Sequence, residues 1–428
     1  MRTSKIILYE IIIITLISPV LGFYYSIKDL KWPQRRWALI ILITIFGSIL
    51  TFPEAADSYR VQQQAFNYAG MSFYEFINIL KHIVTLNPLS GYPSDVYIHV
   101  LSYFSGSIVG LPKLIFVIAS FVFGYFYVTA LSKILRWNKH NRKSIIFSAV
   151  ILIFIILRSI DSLQSVRAWT GMWILFNGVF SYLQTHKKRY LWLILAAPLV
   201  HFMYFVISLP AIFVIFFKKL SPKIFILIYF SSFFININPV DVINKFKKNN
   251  LAEKKISGYY QNGVDPYLSR IEAQKNTVWY ARFGNRDALI YGGNAFALTL
   301  ILGGFFNKKR MTKLEMGLFS VGLMMASLAN LSNFVFTFYT RTMANAVLYI
   351  LATVVLLAIR GELLRNNGSK LILTRIMLWI SILIFVPKVV YTLANIIYYT
   401  SFYMLAAPFL GWLPDLNVSI REVLGWFL

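Results

Sequence analysis

The 428-residue chain contains no cysteine. Disulfides, a thiolate metal site and a cysteine nucleophile are therefore excluded. Charge is scarce as well. Charged types make up 14% of the residues, where a soluble domain carries roughly a quarter. Too few charges remain to cover a water-facing surface. Acids are the rarest of all, 16 against 42 Lys and Arg, which gives a formal net charge of +26. Several motifs are missing too. Without GxxxxGK[ST] there is no P-loop nucleotide site, and without HExxH or a His/Cys cluster there is no sign of zinc. No Asp-x-Asp pair is available to hold a metal against a sugar nucleotide. Rings of acidic residues that would line a cation pore are absent, as are internal repeats, low-complexity tracts and a separate soluble domain.

What the chain has is apolar sequence, 58% of its residues. It comes in long runs such as IILYEIIIITLISPVLGFYY (6–25), LPKLIFVIASFVFGYFYVTAL (111–131) and MANAVLYILATVVLLAI (343–359). These are close to the roughly 20 residues that one helix needs to cross a bilayer. Lipid offers the backbone no hydrogen bonds, so only helices or closed barrels span it. Unbroken apolar runs do not fit the alternation of barrel strands. The expected fold class is therefore all-α, a polytopic transmembrane helical bundle forming a single domain over 1–428. The first run resembles a signal peptide, but Glu10 interrupts it and no small-x-small site precedes Tyr24; it reads as a retained first helix.

Loop charge sets the expected topology. Basic segments fall at 27–36, 133–143, 185–190, 218–223, 307–313 and 360–370. In a soluble protein this charge would suggest nucleic acid; in short loops between apolar runs it is the positive-inside pattern. With all six segments cytoplasmic, spans are expected at about 6–26, 36–53, 112–134, 144–158, 166–184, 190–217, 223–238, 287–306, 313–330, 334–359 and 370–399. Pro198 and Pro210 predict that 190–217 is two short helices meeting near His201. The polar stretch 94–110 reads as an interfacial or re-entrant helix. About 11–12 crossings result, both termini face out, and two larger extracytoplasmic loops remain, 54–93 and 239–286. The second holds nine Lys or Arg against four Asp or Glu. That basicity either marks an anionic ligand or reflects the tolerance of long loops for charge.

Ionisable groups inside membrane helices are costly and mark candidate sites. Arg158, Arg167 and Arg341 map to one depth near the outer interface. Guanidinium forks there suit a lipid-linked phosphate or diphosphate; the alternative is snorkelling to head groups or pairing with Asp161. Arg282 and Arg286, at the end of the 239–286 loop, are further diphosphate candidates, and Tyr259, Tyr260, Tyr267 and Tyr280 are candidates for stacking on sugars. His201, flanked by apolar residues, is either a structural hydrogen-bonder or a general base. Asp57 is either a helix cap or the base. Lys388, beside Pro387, suggests only a kink or a lipid contact.

The stretch SVRAWTGMWILFNGVFSYLQTHKKRYLWLILAAPLVHFMYFVISL (165–209) resembles the central signature of EpsG-type, Wzy-like polysaccharide polymerases. In that signature an Arg opens a helix with small residues, a basic turn follows, and a short helix ends in Ala-x-x-x-His. Arg167, Ala168, Gly171, Lys187, Lys188, Ala197 and His201 fill those places. DSYRVQQQAF (57–66), GYPSDVYIHVLSYFS (91–105) and NFVFTFYTRTMANAVLYI (333–350) resemble the family's Asp-x-Tyr, Gly-Tyr and late Arg-bearing segments. Tyr59, Arg60, Tyr92 and Asp95 are then candidates for glycan contacts. Two departures are Ser90, where the family often has an acid, and Arg-Ala in place of Arg-Gln. The resemblance implies a bacterial polysaccharide polymerase in the cytoplasmic membrane with its active site facing outward. Donor and acceptor would be undecaprenyl-diphosphate-linked oligosaccharides, a chain-length regulator a possible partner, and no cofactor, metal or nucleic acid would be involved. A glycan ligase or a flippase for the same lipid are the other readings.

Overall fold

The structure, a computed structural model, describes residues 4–52, 57–85, 93–136, 144–217, 220–235, 237, 278–306, 309–365, 369–413 and 417–426. Among them there are helices and no β-strand. In chain order they are α1 (Ser4–Ile17), α2 (Pro19–Asp29), α3 (Gln34–Ser48), α4 (Asp57–Asn67), α5 (Phe73–Val84), α6 (Val96–Ser102), α7 (Leu114–Leu135), α8 (Ile145–Ile156), α9 (Val166–Thr185) and α10 (Leu191–Val200). There follow α11 (Tyr204–Ile207), α12 (Leu209–Phe216), α13 (Pro222–Ser231), α14 (Trp279–Arg282), α15 (Ala288–Leu302), α16 (Lys313–Leu331), α17 (Phe336–Arg360), α18 (Ser369–Tyr399) and α19 (Ile420–Gly425). Five helical stretches are long and apolar enough to cross a membrane: Leu114–Leu135, Ile145–Thr185, Lys313–Leu331, Phe336–Arg360 and Ser369–Tyr399. The chain is a membrane-embedded helical bundle.

The helices run back and forth between two ends. Contacts gather the described ends of three basic segments, 133–143, 307–313 and 360–370, around the close of α9, where Leu183 packs on Gly317. There Arg360 donates to Glu315 at 2.7 Å, and Lys133 reaches Asn177 Oδ1 at 2.8 Å. At the opposite end Thr51 N–H bonds the Tyr399 carbonyl, Ser58 bonds the Gln164 carbonyl, and Asn330 bonds Ser232. Helix α17 is the centre of the bundle. It packs on α8, α15 and α16 and is buried from Thr342 to Ile359. A helix apolar all round has no lipid face to spare, and burial on every side follows.

Three expectations meet a different structure. The apolar run 6–26 is not one helix. Ser18 is extended, its hydroxyl caps Leu21 N–H, and Pro19 opens α2. Ile7, Leu8 and Ile11 of α1 pack with Tyr25 of α2 and with Leu30. A straight helix would hold Ile7 and Leu30 more than 30 Å apart at ~1.5 Å per residue, so α1 and α2 form a hairpin. Its tip meets the C-terminal segment through Ala407 N–H to the Ile17 carbonyl and Ser18 to the Leu405 carbonyl. Ser4 therefore lies at the basic end, opposite Tyr399, whereas the sequence predicted both termini on the same side. The described part of the 54–93 stretch is also more than loop. It holds α4 and the amphipathic α5, whose start is fixed by a Ser72–Glu75 capping box.

The polar stretch after it is short: α6 runs into a π-helix over Tyr103–Ile108. Residues 190–217 break at His201, between α10 and α11. Close packing fixes that break against α9. A Cβ on Gly171 would lie 2.5 Å from the Tyr204 ring, so only glycine lets the ring sit there. The Tyr204 hydroxyl then donates to the Ala168 carbonyl at 2.7 Å.

Candidate active site

The chain breaks and short helices at the non-basic end bring five polar side chains into one line. Asp95, just before α6, is buried. Its Oδ2 accepts from Arg167 Nη1 at 2.9 Å. Its Oδ1 accepts from the Phe202 backbone N–H at 2.7 Å and from His201 Nδ1 at 3.2 Å. Arg167, in the first turn of α9, extends its other fork to Asp57 Oδ1 at 2.9 Å. On the far side of the imidazole, Arg341 Nη1 donates to His201 Nε2 at 3.2 Å.

These bonds fix the tautomer. A guanidinium only donates, so Nε2 accepts and carries the lone pair; the proton sits on Nδ1 and points at Asp95. A carboxylate behind the Nδ1–H is the arrangement that orients an imidazole as a base and stabilises it once protonated. Burial pushes the Asp95 carboxyl up, but the His201 imidazole, the Arg167 guanidinium and the Phe202 N–H outweigh it and hold the group below the ordinary carboxylate range. It stays ionised.

Asp95 is itself braced. His99, one turn into α6, donates from Nε2 to the Pro93 carbonyl at 2.9 Å. Its Nδ1 accepts from Gln64 Nε2 at 3.2 Å and from the Tyr68 hydroxyl. This second imidazole ties the segment before α6 to α4 and sets where Asp95 starts.

Beside the relay lies a cavity of about 230 Å³. Arg158, Arg286 and Arg341 line it, with Asp161, Tyr391 and Asn395. Arg158 stacks on the Trp169 ring with its guanidinium carbon 3.7 Å from the centroid. Arg286 pairs with Asp287 and lies 5.5 Å over Phe336. Three guanidiniums around one polar cavity, with Asp161 the acid among its lining residues, favour an anion with several oxygens. One turn deeper on α18, Lys388 is 1% exposed and has no hydrogen-bond partner among the described residues. Its Nζ lies 5.2 Å over the Tyr391 ring. The sequence offered a kink or a lipid contact there; the structure places a buried amine one turn below Tyr391.

The predicted residues thus divide into groups. His201, Asp57, Asp95, Arg167 and Arg341 form one connected cluster, and Arg158, Arg286 and Arg341 share the cavity. Arg167 was expected to bind diphosphate, but it is spent on two carboxylates. Arg282 is exposed, 5.2 Å over Phe283, and is not among the cavity-lining residues. Tyr59 is half-buried and Arg60 exposed in the first turn of α4; neither lines the cavity. Tyr92, Tyr259, Tyr260 and Tyr267 lie outside the described residues, while Tyr280 is half-buried in α14.

Sequence reasoning missed Trp169, His99, Tyr391 and Asn395. The last two sit three and seven residues beyond Lys388, on one helical face, which was a signal available in the sequence. No protein-family model, characterised protein or solved structure matches this chain, so a functional reading rests on the residues themselves.

Proposed function

We propose that this chain is a membrane glycosyltransferase of the polysaccharide-polymerase kind. In this reading it moves a growing glycan from a polyprenyl diphosphate to the non-reducing end of a lipid-linked repeat unit. The observation that carries the reading is the single residue Arg341. It lines the three-arginine cavity and at the same time holds the Nε2 of an imidazole backed by Asp95. A transfer from a lipid diphosphate needs both parts side by side: cations for the leaving group and a base for the attacking hydroxyl.

The chemistry balances without a further reactant. The acceptor oxygen bonds to the anomeric carbon as its proton passes to His201 Nε2. The bond from that carbon to the diphosphate oxygen breaks, and the electron pair leaves with the lipid diphosphate. A diphosphate entering the cavity competes for Arg341, which frees the Nε2 lone pair when donor is bound. The base is thereby coupled to donor binding. No metal is required in this scheme, in keeping with the lack of an Asp-x-Asp pair in the sequence. The basic helix ends grouped around Lys133, Arg310 and Arg360, away from the site, support a site on the extracytoplasmic side, where a flipped lipid-linked unit would be met.

The test is incubation of the purified protein with its lipid-linked repeat unit. A ladder of longer glycans with release of polyprenyl diphosphate is expected. Lipid carried across a vesicle bilayer without any ladder would instead make the chain a flippase, and transfer of finished polymer alone a ligase. In the same assay Arg341→Lys and Arg158→Lys keep the charge but lose the two-pronged fork. Each is expected to lower turnover by about 10²–10³, the scale seen when one donor to a developing anion is removed. Normal ladders from both, at normal protein levels, would remove the arginines from the diphosphate site.

A further inference from the structure

A second cavity, of about 670 Å³, opens at the same end of the bundle, between the ends of α3, α7 and α18 and the C-terminal segment. Its volume falls in the ~300–1,000 Å³ range of small-molecule sites. Its walls differ in kind from those of the arginine cavity. Phe52, Phe116, Tyr398 and Tyr399 supply aromatic surface, and Gln62 and Asn417 supply amides. Charges of both signs are present, Lys113 and Arg421 with Glu422, and both cations are engaged, Lys113 on the Trp412 carbonyl and Arg421 over the Tyr398 ring. Such a lining is less cationic than the three-arginine cavity and offers rings and amides instead. It suits a polyhydroxylated ligand, whose C–H faces lie on rings and whose hydroxyls both donate to and accept from amides.

Two further observations point the same way. The Asn417 Oδ1 is buried and has no hydrogen-bond partner among the described residues, while its Nδ2 is used on the Ile49 carbonyl at 3.3 Å. A buried acceptor left unmade is costly, and a ligand hydroxyl would satisfy it. The wall itself is fixed. Phe402 N–H bonds the Val418 carbonyl at 2.8 Å, Ile420 N–H bonds the Thr400 carbonyl at 2.9 Å, and Ser419 with Glu422 caps α19. Lys113 Nζ ties the Trp412 carbonyl at 3.1 Å. A C-terminal segment pinned to three helix ends is a built wall rather than a frayed tail.

Tyr399 links this cavity to the first. It lines the second cavity, and its hydroxyl interacts with Gln164, which lines the first. We propose that the second cavity is a saccharide subsite: it holds sugar residues of a glycan whose diphosphate-bearing or attacking end lies at the arginine cavity. The identity of the ligand as a glycan joined to that site rests on the transferase reading. The aromatic and amide lining would hold without it.

The test uses the full-length protein in an amphipol that carries no sugar. The probe is the oligosaccharide released by mild acid from the polyprenyl-linked pool of the cells that naturally make the chain. Saturation-transfer NMR is recorded on wild type and on the triple variant Gln62→Ala, Tyr398→Ala, Asn417→Ala. Transfer to sugar protons is expected in wild type and its loss in the variant. Tyr398→Phe, which keeps the ring and leaves Asn417 untouched, is expected to retain transfer, and wild-type-like thermal unfolding of the triple variant guards against one that merely misfolds. Undiminished transfer in the triple variant would place the sugar elsewhere, and none in wild type would overturn the subsite. The two readings separate cleanly. Wild type that makes polymer but shows no transfer loses only the subsite. Wild type that shows variant-sensitive transfer but never makes polymer loses only the transferase.

Discussion

Asp95→Ala is expected to destabilise the folded chain by roughly 3–5 kcal/mol, the scale seen when one partner of a buried ion pair is removed. The Asp95 side chain is 2% exposed and is the common acceptor for Arg167, His201 Nδ1 and the Phe202 N–H. Its loss leaves a guanidinium with only Asp57 for company and two buried donors without an acceptor. Asp57→Ala should cost far less, within the ~0–1 kcal/mol of an exposed pair, because Asp57 is 30% exposed and water can replace it. Asp95→Asn keeps the shape and one acceptor oxygen, so it should fall between the two. The measurement is thermal unfolding followed by size-exclusion of the detergent-solubilised protein, with the order Asp95→Ala, Asp95→Asn, Asp57→Ala from least to most stable. Equal melting of the two alanine variants would show that Asp95 does not carry the cluster.

That ordering illustrates what a sequence of this kind can and cannot reveal. Apolar run length was enough to give an all-helical membrane bundle. The break at His201 was readable because Pro198 and Pro210 flank it. The α1–α2 hairpin was not, since hydropathy averages over the Ser18–Pro19 turn, which is as apolar around it as an unbroken helix would be. Within the site, a costly charge in an apolar helix pointed to Arg158, Arg167 and Arg341. For Arg167 and Arg341 the role depended on partners 72 to 140 residues away in the chain. Arg167 and Arg341 look alike in sequence, yet one is held between Asp57 and Asp95 while the other faces His201 and the cavity. Tertiary pairing, invisible to spacing along a helix, made that distinction. The C-terminal segment showed no motif at all, because its role as a wall comes from the Ile420 N–H bond to the Thr400 carbonyl beside α18 and from the Asn417 side chain on the Ile49 carbonyl beside α3.

The two candidate bases sit in different surroundings. Asp57 is spent on Arg167 and is partly open to water, which favours a carboxylate that orients rather than one that takes a proton. His201 has its Nδ1–H directed by Asp95 and its Nε2 lone pair turned toward the arginine that lines the cavity. The rate of glycan transfer by His201→Ala and by Asp57→Asn, measured across pH with purified protein and lipid-linked repeat unit, tests this most directly. The account predicts that His201→Ala falls by about 10²–10⁴, the usual contribution of a positioned acid–base group. Its residual rate should also lose the pH inflection of the wild type. Asp57→Asn should lose much less and keep that inflection. Near-normal turnover with an unchanged pH profile in His201→Ala, together with collapse of Asp57→Asn, would contradict the account and move the base to Asp57.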